Sequence, residues 1–255
     1  MVASQRASSV MEAISYVYTL KEDKKTKSCF GPPDMYLGNK IHMFRDKYAD
    51  DNQYCWSMSG NHYVKNTVAK VDEKLMNHGS QLNVKQQSSF TTVYITDMYT
   101  FPELDTKQLN YFQEMIGCLR WAIKLGRAAI ATEVALISRH LDLPCRGHFD
   151  QCFNVYAYLK QHHYSKLVMN PAYMNSKDHY PDSFNDRAEW SELYGDVKEY
   201  IPKNVPREIG KGDEVTDWVD ADHAGEKLTH RSHTRLLIFV SSTPIVWYSK
   251  LQAKI

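Results

Sequence analysis

The 255-residue chain is expected to fold as an α+β protein, with helices in the middle and short strands on either side. Three observations carry this. Apolar residues recur at three- and four-residue steps between about 62 and 162. Short strand-like runs bounded by turn residues lie before that region and after it. The composition, 43% hydrophobic and 24% charged, is that of a chain able to bury a core.

The elements follow in order. Residues 10–20 have Val10, Ile14, Val17 and Tyr18 on one helical face. A polar stretch at 21–27 leads to the turn signal Gly31-Pro32-Pro33. Residues 35–44 read as a strand, and 54–58 pairs with it across a polar loop. Asn61 is an N-cap for a helix at 62–78, with Val64, Val68, Val71 and Leu75 inward and Gly79 at its end. Residues 80–101 show no clear period. Asp105 caps a longer helix whose stripe is Leu109, Phe112, Met115, Ile116, Leu119 and Ile123, and Gly126 ends it. Residues 128–141 read as another helix, with Val134, Ile137 and Leu141 inward. Pro144 and Gly147 break it. A last helix at 148–162 carries Phe149, Phe153, Tyr156 and Leu159. Short connections favour antiparallel packing, so 62–162 is expected to be a helical bundle.

Beyond it the proline-containing, acidic stretch 171–213 has the composition of a connector. Runs at 215–219, 235–240 and 244–249 read as three short strands. Three strands without a covering layer need something to pack on. The expected organisation is therefore 1–60, 61–163, a connector over 164–213 that is acidic from 171, and 214–255.

Charge is unevenly placed. Residues 1–170 carry 20 Lys/Arg against 16 Asp/Glu, 171–226 carry 6 against 14, and 227–255 carry 5 against none. Basic segments can serve nucleic-acid phosphates, although the excess over the first 170 residues is small. The longest clean apolar run, 236–240, is far shorter than the roughly 20 residues of a membrane helix. No signal-peptide pattern opens the chain, and five cysteines without a C-x-x-C pair argue against a disulfide framework. The expectation is an intracellular protein, neither secreted nor membrane-bound.

Four groups of residues invite chemistry. Tyr48-Ala49-Asp50-Asp51 has the form Tyr-x-Asp-Asp that places paired carboxylates on Mg²⁺, but its flanks are polar, as in a solvated loop. His140, Cys145, His148 and Cys152 suit zinc by type but not by spacing, and helix ends and a core face explain them equally well. In Val219-Asp220-Ala221-Asp222-His223-Ala224-Gly225 a strand ends in carboxylates before a small-residue turn, a geometry used for metal ions and also found in plain acidic turns. Trp56 and Tyr63 either stack on bases or belong to the core.

Seven strings in one order identify a resemblance. They are YLGNKI (36–41), WSMSGNHYVKNTVAKVDEKL (56–75), PELD (102–105), YFQEMIGCLRWAIKLGR (111–127), EVALISRHLDLPCRGHFDQCFNVYAYLK (133–160), DWVDADHAG (217–225) and HRSHTRLLIFVSSTPIVWYSKLQ (230–252). Together they resemble the polymerase polyprotein of copia-type retrotransposons, over nearly the whole chain.

The resemblance implies residual palm strands, a helical thumb-like bundle and a partial RNase H-like three-stranded sheet. It implies a reverse transcriptase and RNase H lineage, with Mg²⁺ as cofactor and RNA/DNA or DNA duplex as partner. In the family the polymerase aspartates precede the YLG segment, so the 48–51 string is expected to be fortuitous and the polymerase site absent. Tyr36, Leu37 and Gly38 match the primer-grip strand. Asp220 matches the first RNase H carboxylate and Asp222 its neighbour in the motif, and the remaining ligands of that site would lie past residue 255. The expectation is a truncated, catalytically inactive fragment. It would either grip duplex phosphates, through Lys65, Lys70, Lys74, Lys124, Arg127 and Arg231, or dock on an intact element polymerase. Where relatives often have Arg-Pro-Asp-Ile, this chain has Arg127-Ala128-Ala129-Ile130. That loses a capping Asp worth about 1 kcal/mol.

Overall fold

The computed structural model describes residues 2–18, 34–45, 54–90, 102–170, 172, 203–205, 214–222 and 230–253. The chain divides into two compact units, Met1–Asp34 and Met35–Ile255. Helices and antiparallel sheets make it a mixed α+β protein.

The first unit holds helix α1, Val2–Val17. It begins eight residues before the expected 10–20 span. The added turns are rich in Ala, Ser, Gln and Arg, which tolerate a helix without contributing an apolar stripe. Val10, Ile14, Val17 and Tyr18 are all exposed.

The second unit opens with a four-stranded antiparallel sheet. Its strands are β1 (Met35–Tyr36), β2 (Asn39–Arg45), β3 (Tyr54–Ser59) and β4 (Leu167–Met169), in the order β1-β2-β3-β4. The pairing of β2 with β3 is the hairpin that the sequence pattern leads one to expect. The single strand read over 35–44 is instead folded at Leu37-Gly38. Tyr36 faces Asn39 across the turn, and the two turn residues have φ of +50° and +87°. Positive φ at both positions is what a tight two-residue hairpin turn demands. Strand β4 falls inside the stretch read as connector. Three residues are too few to show a period.

The helical bundle follows. Helix α2 is Asn61–Met76. Asn61 does not cap it; its Oδ1 accepts from the Ser165 backbone N–H at 2.9 Å, tying the bundle's first helix to the segment leading into β4. At the other end Ser80 N–H reaches Leu75 C=O and Gly79 N–H reaches Met76 C=O, both at 3.0 Å, with Gly79 at φ +74°. This pair of bonds closes a helix on a left-handed residue, which glycine adopts without penalty.

Helix α3, Thr106–Lys124, starts with a capping box. Asp105 accepts from the Gln108 N–H (2.8 Å), and the Gln108 side chain accepts from the Asp105 N–H (3.3 Å). It ends at Gly126 with the same geometry as α2. The helix read over 128–141 is broken. A 3₁₀ turn at Ala128–Ile130 precedes α4 (Ala131–Ile137), and a second 3₁₀ turn, Ser138–His140, follows it. Among the described residues no side chain caps the first of these turns, whose N-cap is Arg127. Helix α5 is Arg146–Gln161.

These helices enclose a continuous core that includes Val64, Phe112, Met115, Ile116, Leu119, Ile137, Val155 and Tyr156. Each fully buried aliphatic or aromatic side chain contributes about 1.5–3 kcal/mol. The Tyr156 hydroxyl, deep in this core, donates to Met115 C=O at 2.9 Å. Asp72, on α2, is also buried. It takes the Lys160 ammonium at 2.5 Å and the Leu82 N–H at 3.0 Å.

A second antiparallel sheet consists of β5 (Val215–Ala221), β6 (His233–Val240) and β7 (Thr243–Leu251), in the order β5-β6-β7. All three strands are expected from the sequence, each two or three residues shorter. Register places Trp218, Leu237 and Trp247 side by side, and Asp220, Arg235 and Ser249 two residues along, hence on the same face. Strand β7 packs on α4. The Trp247 indole N–H donates to Ile123 C=O at the end of α3, at 2.9 Å. At the β6–β7 turn Ser242 donates to Ala172 C=O, and Thr243 donates to Asn170 C=O just past β4. The bundle thus supplies the covering layer that the three strands need.

Candidate nucleic-acid interface

Asp220 and Asp222 stand at the C-terminal end of β5, on the face that Trp218 shares. Asp220 is opposite Arg235 on β6, and the guanidinium lies 2.6 Å from its Oδ2. The same guanidinium is 3.9 Å from Asp222 Oδ2. Asp222 Oδ1 accepts the His233 backbone N–H at 2.5 Å, and the Asp222 N–H donates to His233 C=O at 3.2 Å. Both carboxylates are therefore engaged in holding β5 to β6. Residues 223–229, which continue the motif, lie outside the described residues.

This donor set does not by itself fit the Mg²⁺ that the resemblance implies. Two-metal sites need several converging carboxylates. Among the described residues no three His, Cys, Asp or Glu side chains gather. Asp220 already has a protein cation as its counter-charge.

His233 lies beneath this pair, 3% exposed, with Ser249 Oγ 3.4 Å from its Nδ1. Burial pushes the imidazole pKa below its ordinary value. Asp222 opposes the shift, and Arg235 and Arg139 reinforce it. The ring is held neutral.

The cations named from the sequence are not brought together. Arg127 is buried, and its guanidinium donates to the carbonyls of His162 (3.0 Å) and His163. It fastens the end of α5 to the end of α3 and is not available to a phosphate, which corrects its expected role. Lys65 donates to Tyr164 Oη (3.3 Å), and Lys74 lies over the Tyr111 ring, 3.2 Å from its centre. Lys70 is exposed one turn before Lys74, and Arg231 precedes β6. Lys124 is elsewhere, in a groove of about 540 Å³ between α3, α4 and β7. Arg120, Arg139 and Lys250 line the same groove and were missed in the sequence. Arg120 and Lys124 are four apart on one helix and so share a face, a signal that was legible. The approach of Lys250 and Arg139 is set by how the sheet meets the bundle.

Tyr36, Leu37 and Gly38 form the exposed tip of the β1–β2 hairpin. Among the described residues nothing stands within 4 Å of where a Gly38 Cβ would sit, and its φ of +87° is what favours glycine here. Tyr63 belongs to the core: its hydroxyl donates to Cys118 C=O at 3.2 Å, and its ring packs on the buried cluster. Trp56 is half-buried on β3.

The zinc-like group resolves into structural roles. Cys145 and His148 form a reciprocal cap at the start of α5, in which His148 Nδ1 accepts the Cys145 N–H at 3.0 Å. The His148 ring stacks on His140 with centres 3.9 Å apart. Cys152 is fully buried, which pushes its thiol well above the usual range. The Asp50-Asp51 string lies outside the described residues.

No family model, no curated protein and no solved structure matches the chain.

Proposed function

We propose that the chain derives from the thumb and RNase H portion of a copia-type retrotransposon reverse transcriptase, and that it grips RNA/DNA or DNA duplex without cutting it. The observation that carries this reading is where the Asp-Trp-Val-Asp-Ala-Asp string falls. It forms the first strand of a three-stranded antiparallel sheet seated on a helical bundle, in the order that the motif resemblance implies. Exposed cations on α2 and α3 supply the attraction for phosphates, an interaction that weakens steeply with salt. The Asp220–Arg235 pair supports a non-cleaving role, because Arg235 already neutralises the carboxylate that would hold a metal.

The test is a labelled RNA/DNA hybrid incubated with the purified chain and Mg²⁺. The expected result is a mobility shift that fades as salt rises, with the hybrid intact. Absence of a shift at the lowest salt sinks the binding reading. Cleavage that disappears in Asp220→Asn overturns the non-cleaving part.

A second reading is docking on an intact element polymerase. It is favoured by the apolar hairpin tip, where Met35, Tyr36 and Leu37 are all exposed. Co-elution with that polymerase, abolished by Tyr36→Ser with Leu37→Ser, would support it. Separate elution would remove it.

A further inference from the structure

The groove between α3, α4 and β7 has a composition unlike a random stretch of surface. It holds four cations, Arg120, Lys124, Arg139 and Lys250, and among the described residues no Asp or Glu lines it. Two serines, Ser138 and Ser249, and the exposed Tyr248 stand among them. Arg120 Nε donates to Ser138 Oγ at 3.2 Å, so one guanidinium is already oriented along the groove wall. The floor is apolar, made by Ile123, Val134 and Trp247. Several cations lining one groove make its field positive, which attracts an anion. The occupant is therefore a polyanion long enough to reach both the helical wall and the β7 wall.

We propose that this groove is the track for the sugar–phosphate backbone of a bound nucleic-acid strand. The inference rests on the nucleic-acid reading above and names the surface that performs it. Arg120 and Lys124 meet phosphates from the helix side, and Lys250 meets them from the strand side. The serine hydroxyls add hydrogen bonds that position the backbone. Tyr248 offers a ring face for a base. An acidic protein segment would satisfy the cations but has less use for the exposed ring, so nucleic acid is the better fit. The cations of α2 are a separate patch: Lys65 is occupied with Tyr164, and Lys74 covers Tyr111.

The experiment is fluorescence anisotropy of the full chain with a labelled RNA/DNA hybrid at several salt concentrations. Three proteins are compared: wild type, Arg120→Gln/Lys124→Gln/Lys250→Gln, and Lys65→Gln/Lys70→Gln/Lys74→Gln. Thermal melting verifies that each is folded, and Lys124→Gln/Lys250→Gln, at two exposed positions, replaces the triple groove variant if that one melts early. The groove variant is expected to bind at least tenfold more weakly than the α2 variant. Its log–log salt slope should be shallower than wild type by about 0.9 for each phosphate contact removed. Equal losses in the two variants, or a larger loss in the α2 variant, overturn the track but leave nucleic-acid binding standing. No binding by wild type at the lowest salt sinks both. Displacement of the hybrid by poly-glutamate at matched charge concentration overturns the choice of nucleic acid over an acidic protein.

Discussion

The helical bundle and the β5–β7 sheet are stabilised in different ways. The bundle buries side chains from α2, α3, α4 and α5 into one cluster, and the Tyr156 hydroxyl and the Asp72 carboxylate inside it are paired. Among the described residues the sheet has no such interior. Its strands are mostly half-buried, Val215 and Val219 on β5 are exposed, and it is fixed to the rest by Trp247 and by the Ser242 and Thr243 bonds. The bundle is therefore stable through its own core, whereas the sheet depends on a seam. Regions with few buried apolar contacts open first. The groove assigned to nucleic acid lies on that seam, so occupancy of the groove should also hold the sheet in place.

The largest effects are expected in the bundle. Phe112→Ala empties a fully buried site and is expected to cost about 3–5 kcal/mol, with helices and sheet lost in one transition. Denaturant melts read by far-UV circular dichroism test it. A bundle that tolerates the change has no tight core.

Asp72 comes next. Burial raises its pKa, but the Lys160 hydrogen bond, the Leu82 N–H and the Lys160 charge outweigh that, and the carboxyl is held below its ordinary 3.8. This stabilisation is present above pH 3.8 and is lost as pH falls below that through the folded-state value. Asp72→Asn should cost about 2 kcal/mol at neutral pH and flatten that acid limb, as measured by melts across pH.

The sheet should respond at a higher pH. His233 is held neutral, so its stabilising contribution is present above 6.5 and is lost as pH falls from 6.5 through the folded-state value. Hydrogen exchange between pH 7.5 and 5 should show amides of 215–221 and 233–251 losing protection while 106–124 keeps it. His233→Asn should remove that difference. Uniform loss in both regions would contradict the seam.

Trp247→Phe keeps an aromatic ring but deletes the bond to Ile123, and should cost about 1 kcal/mol, seen as faster exchange in β7 alone. The smallest effect belongs to Asp220→Asn. That ion pair is at the surface, with the carboxylate side chain 69% exposed, and its removal should change stability by no more than about 0.5 kcal/mol.

Much of this fold was legible because local rules dominate where helices start and stop. Asp105 caps α3, and Gly79 and Gly126 close α2 and α3, each decided by nearby backbone chemistry. The three C-terminal strands were legible from β-branched and aromatic runs. Other features depend on distant partners and left no local trace. Strand β4 exists because β3 offers an open edge to Leu167–Met169. Asn61 leaves its capping role because Ser165, over 100 residues away, presents an N–H. Arg127 reads as a surface cation until the carbonyls that end α5 fold over it. For the candidate site, Asp220 and Lys124 were visible as residue types. Arg235 across the strand, and Lys250 opposite α3, were supplied by tertiary register.

The most direct measurement of the central claim is the salt dependence of hybrid affinity for the wild-type chain. Neutralising three to four phosphates predicts a log–log slope of about −3, with the hybrid still whole after prolonged exposure to Mg²⁺. A slope near zero, or no measurable affinity in dilute buffer, would contradict the account.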